Sequence, residues 1–341
     1  IQETLAGFDD GETIYSALGV RQATPIRTVF GKNIGNQTHW KRRGVHGAEL
    51  EKIRDEYVSI LDRETTRKSR RRLVISAESI WTLGPDVKES LVAYFSERGL
   101  RVTVVCYVRE FQGYTASWFQ QMIKGGGGPN AAPKVNLRRR LEVFRKNPLV
   151  DRLVVREFAR DKLKNGCVVQ DFCDLIAIRP KQVVTTNEGL SSSALKLLYH
   201  FNQSGPLSDG DRRLKVARNA MVRKIAEAYQ GDKPDKQLFG HLVPSWEDDY
   251  RYLKETFDIQ LTPPDLSNSH GSLEDFLADL SDVDMGPLDD LLLKSDVDPS
   301  GFGSATHKMS ILYYSILAGF GTKKSKADRR WHHLGRYFNA R

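Results

Sequence analysis

Cysteine is scarce: Cys106, Cys167 and Cys173 are the only three in 341 residues. Their spacing matches no metal-ligand pattern, which argues against a zinc module and against a disulfide scaffold. Buried free thiols in a reducing compartment are the simpler expectation. No apolar run approaches the ~20 residues that cross a bilayer, and the visible start does not read as a secretory signal. The phosphate-loop pattern G-x-x-x-x-G-K-[ST] occurs nowhere. Helix-turn-helix, zinc-finger and RNA-recognition signatures are also missing, so nucleic acid is an unlikely partner despite a net charge of +9.

What remains is a globular composition, 40% apolar and 28% charged, long enough for one large domain or two. The charge is unevenly distributed. Residues 265–303 hold ten acids against Lys294 alone, a net −9 that leaves +18 on the rest of the chain. So basic a core concentrates anions near a cleft. The acidic window is rich in Asp and Ser and follows Thr262-Pro263-Pro264, so it reads as a linker or interaction tail over 262–304. A basic segment, 305–341, follows it. The runs Arg67–Arg72 and Leu137–Arg140 are expected to be solvated faces.

Residues 1–261 read as alternating strands and helices. Strands are expected at Thr13–Tyr15, Leu73–Ser76 and Val102–Val108. Helices are expected at Gly47–Arg67, Pro85–Arg98, Tyr114–Lys124, Arg218–Tyr229 and Ser245–Phe257, with a polar stretch from Tyr15 to Arg43. That order predicts an α/β fold with a parallel sheet flanked by helices and a helical or irregular C-terminal extension. Gly125–Gly128 follows a helix rather than a strand and lacks a Lys-Ser/Thr, so a lid or entry loop is expected there instead of a phosphate cradle. Asp296-x-Asp298-x-Ser300-Gly301 imitates a calcium loop, but His307 stands where the closing Glu belongs.

The most informative segment is Val102–Lys124. An unbroken apolar run reads as a strand buried on both faces and ends at Arg109; Ser117 lies eight residues on, near the start of a helix. Ligands of open α/β sheets bind at the carboxyl ends of strands, where a guanidinium fork and a hydroxyl suit a phosphate monoester. An arginine capping a strand and a serine inside a helix would need no ligand.

Tyr107-Val108-Arg109 with Tyr114-Thr115-Ala116-Ser117-Trp118-Phe119-Gln120-Gln121 resembles the 3′-phosphate-binding strand and helix of sulfotransferases, most closely the bacterial sulfotransferase-like branch. Leu73–Glu78, Val154–Phe158, Val169–Ile178 and the turn Asn187-Glu188-Gly189-Leu190-Ser191 resemble further blocks of that family, in its order, over roughly residues 1–260. The resemblance implies a P-loop-NTPase-like sulfotransferase fold and 3′-phosphoadenylyl sulfate (PAPS) as sulfuryl donor, with no metal. It also implies a carbohydrate or other small-molecule acceptor, a bacterial origin and a cytoplasmic location. Arg109 and Ser117 would hold the cofactor. Ile1–Ala6 looks like the helix just after the family's phosphosulfate loop, so that loop is expected to precede Ile1. Sulfuryl transfer needs a base for the acceptor hydroxyl and cations for the developing charge. Glu78, just past a strand, is the first candidate base and His39 the second; a helix-capping carboxylate and a loop histidine are their bland alternatives. Arg138 or Arg140 would contact the cofactor. The competing functions are a catalytically silent relative that binds a nucleotide or an anionic glycan, and a basic protein that binds nucleic acid.

Overall fold

The computed structural model describes residues 1–66, 72–128, 132–184, 189–204, 211–267 and 272–321. Arg67–Arg71, Asn187, Glu188 and the basic end from Lys323 to Arg341 lie outside the described residues. In chain order the elements are α1 (Gln2–Leu5), β1 (Thr13–Tyr15), α2 (Ala23–Phe30), α3 (Thr38–Lys41), α4 (Gly47–Thr66), β2 (Arg72–Val74), α5 (Pro85–Ser96) and β3 (Val102–Val108). They continue with α6 (Phe111–Gly125), α7 (Leu137–Arg145), β4 (Val150–Glu157), α8 (Val168–Leu175), α9 (Ser192–Ser204) and α10 (Arg212–Ala228). The last four are α11 (Glu247–Phe257), α12 (Leu273–Ala278), α13 (Gly286–Leu293) and α14 (Ala305–Gly321). The class is α/β, mostly helical with parallel strand pairs. No helix among the described residues is long and apolar enough to cross a membrane. Two compact units emerge: Ile1–Thr115 with Ala132–Glu188 and Gly240–Leu266, and Ala116–Ala131 with Gly189–Phe239 and Ser267–Arg341.

In the first unit β1 pairs with β2 and β3 with β4, both in parallel, as two separate two-stranded sheets rather than one continuous sheet. Arg72 and Val74 turn their backbone groups toward β1, through Arg72 N to Glu12 O and Ser16 N to Val74 O; Leu73 therefore faces away. On β3, Val108 O accepts from Phe158 N, so Val105 and Tyr107 turn away from β4. The pairs still share apolar clusters. Val74 packs with Val105 and Tyr107 on the side of α1 and α8. Leu73, Ile75 and Val102 pack with α2, α4 and α5. Because β3 has only one ladder partner, the expectation of a strand buried on both faces fails: Val108 alone is fully buried, and Val104–Tyr107 are half-buried.

Helix ends follow local chemistry. Pro85 opens α5 with Asp86 in its first turn, as a missing N–H and the helix dipole favour. Gly99, at φ +73°, closes it while Leu100 N donates to Phe95 O. α11 turns Trp246, Tyr250, Leu253 and Phe257 onto one cluster with Val108, Phe111 and Leu141, as their spacing predicts. α2 lies inside the stretch read as polar. Its Ile26 and Val29 are buried, but two apolar contacts over eight residues make a weak periodic signal. Of the thiols, Cys173 is buried, whereas Cys106 and Cys167 are partly exposed.

The second unit is helical. α9 buries Leu195, Leu197, Leu198 and Phe201 completely and packs on α12 and α14. The acidic window, expected as a linker or tail, forms α12 and α13. Ser272 caps α12 by accepting from Asp275 N at 2.9 Å, and Leu273, Leu277, Leu288 and Leu292 are fully buried. The acids lie on outer faces, so a net-negative segment still supplies a core. Gly126 (φ +97°) ends α6 with Gly127 N on Met122 O, and Asn202 Nδ2 holds Gly127 O at 2.7 Å. The first part of the glycine run is thus a helix cap, not an entry loop.

Arg218, 4% exposed, locks that cap. Its guanidinium donates to Lys124 O at 3.0 Å, to Ile123 O at 2.8 Å and to Asn202 Oδ1. Arg218→Met is expected to cost about 2–4 kcal/mol, since it removes three hydrogen bonds near the core; Ile123 O keeps Asn202 Nδ2 and Gly126 N as donors. Denaturant melts will check this through a lower midpoint at unchanged slope.

Candidate functional site

The carboxyl ends of the strands in the first unit collect charged and aromatic side chains. β2 runs into a 3₁₀ turn, Glu78–Thr82, which carries Glu78 and Trp81 and leads directly to α5. The guanidinium of Arg140, from the first turns of α7, lies 5.3 Å from the Trp81 ring centroid and donates to Lys134 O at 3.1 Å. Tyr114 completes the group. Burial pushes its phenol up, while Arg140 pulls it down and Glu78 pushes it up, so both charges act on Tyr114. Here a guanidinium lies over an indole face and, with the Glu78 carboxylate, acts on the Tyr114 phenol.

Arg109 sits at the end of β3, its guanidinium 5.7 Å from the Phe158 ring, so two strand ends meet at this pair. The N-terminus of α6, next in the chain, is already engaged. Phe111 N donates to Tyr250 Oη at 2.7 Å, and the Glu110 carboxylate accepts from Gly113 N. A ligand phosphate at this edge therefore depends on side chains more than on helix amides. Thr115 Oγ1, on the second turn, is buried and has no hydrogen-bond partner among the described residues.

The edge is braced from below by Asp171, at the start of α8. Its carboxylate accepts from Tyr107 Oη at 2.6 Å, from Arg156 Nε at 2.9 Å and Nη2 at 3.0 Å, and from Lys164 N at 3.1 Å. Tyr107 and Arg156 are register partners on β3 and β4. One carboxylate thus clamps both strand ends two residues short of Arg109. Burial alone would raise the Asp171 pKa; the bonds from Tyr107, Lys164 N and Arg156 outweigh it and hold the carboxyl below its usual range.

The other sequence candidates are placed differently. His39 is on the short helix α3, its ring 4.6 Å from that of Trp40, in the neighbourhood of Ile34 and Leu50. Ser117 is on α6, two residues past the point where the first unit ends at Thr115. Arg138 lies over Tyr252 at 5.7 Å, whereas Arg140 of the same run reaches Trp81. That run is not simply a solvated face. Trp81 and Lys88 are not singled out by the sequence, and Tyr114 enters there only as a motif residue and a helix start. The available signal was Lys88 itself, which falls with Val92 and Phe95 on the apolar stripe of α5. Among the described residues no cluster of His, Cys, Asp and Glu is arranged to hold a metal ion.

Comparisons with protein-family models, with curated proteins and with solved structures found no match to this chain.

Proposed function

We propose that the protein is a sulfotransferase that moves a sulfuryl group from PAPS to a hydroxyl of a carbohydrate or other small acceptor, on a P-loop-NTPase-like fold. The observation that carries this reading is Tyr114, on which both Glu78 and Arg140 act electrostatically, in the same compact unit in which Arg109 ends β3. Sulfuryl transfer asks for little more than a base and fixed positive charge. PAPS would supply the sulfuryl group already attached to a good leaving phosphate. Arg109 would hold the 3′-phosphate, with the orphan Thr115 hydroxyl close in sequence. Glu78 takes the proton from the acceptor oxygen as that oxygen bonds to sulfur, and Tyr114 orients the carboxylate. Arg140 balances the negative charge that builds on the leaving phosphate oxygen. Trp81 offers an apolar face on which a sugar ring stacks.

The test is transfer of label from PAPS to a panel of sugars, glycolipid headgroups and phenols, with release of adenosine 3′,5′-bisphosphate measured in parallel. A labelled, sulfated product supports the reading. Binding of the bisphosphate without any transfer favours a second one, a silent relative that only binds nucleotide.

A further inference from the structure

Lys88 is 2% exposed, on the first turn of α5, yet its ammonium has little to hold it. Nζ donates to Trp81 O at 3.1 Å and lies 5.3 Å from the Phe144 ring centroid and 5.9 Å from that of Trp81. The ionisable groups that act on it are the like-charged Arg140 from α7 and the thiol of Cys106 from β3; no carboxylate is among them. Burial, reinforced by Arg140, pulls its pKa from 10.5 to about 8. A buried cation is normally paired with an anion or several oxygens, because desolvation is otherwise uncompensated. Here two cations converge on one indole, from opposite helices, and two of the three ammonium donors have no partner among the described residues. Trp81 and Arg140 are themselves partly exposed, so the cluster has an open side.

We propose that Lys88 and Arg140, arranged about Trp81, form a binding subsite for a tetrahedral oxyanion, a phosphate or sulfate group, distinct from the place assigned to Arg109. The subsite stands without the sulfotransferase reading, which bears only on where the oxyanion comes from. Two sources share this chemistry: the leaving phosphate of the donor, and a phosphate or sulfate already carried by the acceptor.

Thermal unfolding of the full chain at pH 7, in rising inorganic phosphate or sulfate at constant ionic strength, tests it. The wild type is expected to be stabilised by both anions beyond a chloride control, by mass action on the folded state. Lys88→Met keeps the packing and removes the charge, so this variant is expected to fold at least as stably and to show no anion-specific gain. Arg140→Gln is expected to weaken the apparent affinity about tenfold, as loss of a charged donor does. Raising the pH past 8 should abolish the wild-type effect as the Lys88 ammonium deprotonates. Equal stabilisation of wild type and Lys88→Met, or none in the wild type, would overturn the subsite. Adenosine 3′,5′-bisphosphate distinguishes the sources. Competition with phosphate assigns the site to the leaving group, and simultaneous binding assigns it to the acceptor. Arg109→Ala, which should weaken the bisphosphate but not inorganic phosphate, separates failure here from failure of the proposed activity.

Discussion

Glu78→Gln is expected to lower kcat for sulfuryl transfer by roughly 10²–10⁴-fold, the usual worth of a positioned general base, with little change in nucleotide binding. The amide is nearly the same shape and keeps an acceptor oxygen toward Tyr114, but it cannot take a proton at neutral pH. Glu78 lies on the 3₁₀ turn after β2 and is largely exposed, so no core packing depends on it. A fall in kcat therefore reports chemistry rather than folding. His39→Ala provides the contrast: His39 belongs to the neighbourhood of Trp40 and Leu50, and its loss is expected to leave kcat within a few-fold of wild type. If His39→Ala were the damaging change and Glu78→Gln the mild one, the base would be misassigned.

The second large effect concerns stability. Asp171→Ala is expected to cost about 2–4 kcal/mol, because it removes a buried carboxylate that joins β3, β4 and the start of α8. The lower bound reflects Arg156, which is 38% exposed and can turn to water when its partner is lost. The sign with pH follows from the lowered native pKa. The unfolded carboxyl binds its proton first, near pH 4, so the contribution is complete above that and is lost as pH falls through the native value. Melts from pH 7 down to pH 3 should show wild type and Asp171→Ala converging. The variant should also bind nucleotide more weakly, since Arg109 follows the clamped strand end by two residues. A constant gap between the two proteins at all pH values would mean that the charge of Asp171 does not carry the effect.

Much of this was legible in advance. Helix α5 is signalled by Pro85 at one end and Gly99 at the other, and α11 by the three- and four-residue spacing of Trp246, Tyr250, Leu253 and Phe257. Those are local signals, and local physics determines them. The separation of β1–β2 from β3–β4 is not local. Nothing in Leu73–Ile75 or in Val104–Tyr107 says which neighbour a strand will have, so an apolar run overstates the burial of β3. The acidic window misleads for a different reason. Its charge reads as solvation, yet the leucines of α12 and α13 suffice for a core while most of the acids stay exposed. The site shows the same division. Arg109 and Glu78 are visible because each follows a strand, whereas Lys88 and Arg140 meet only because α5 and α7 pack side by side.

The proposed function places a nucleotide phosphate at the carboxyl edge of β3. Calorimetric titration of adenosine 3′,5′-bisphosphate into wild type and Arg109→Ala tests it most directly. The expected result is micromolar binding by the wild type, weakened by ~1.5–3 kcal/mol when the arginine is removed. No heat of binding to the folded wild type, or equal affinity in the two proteins, would contradict it.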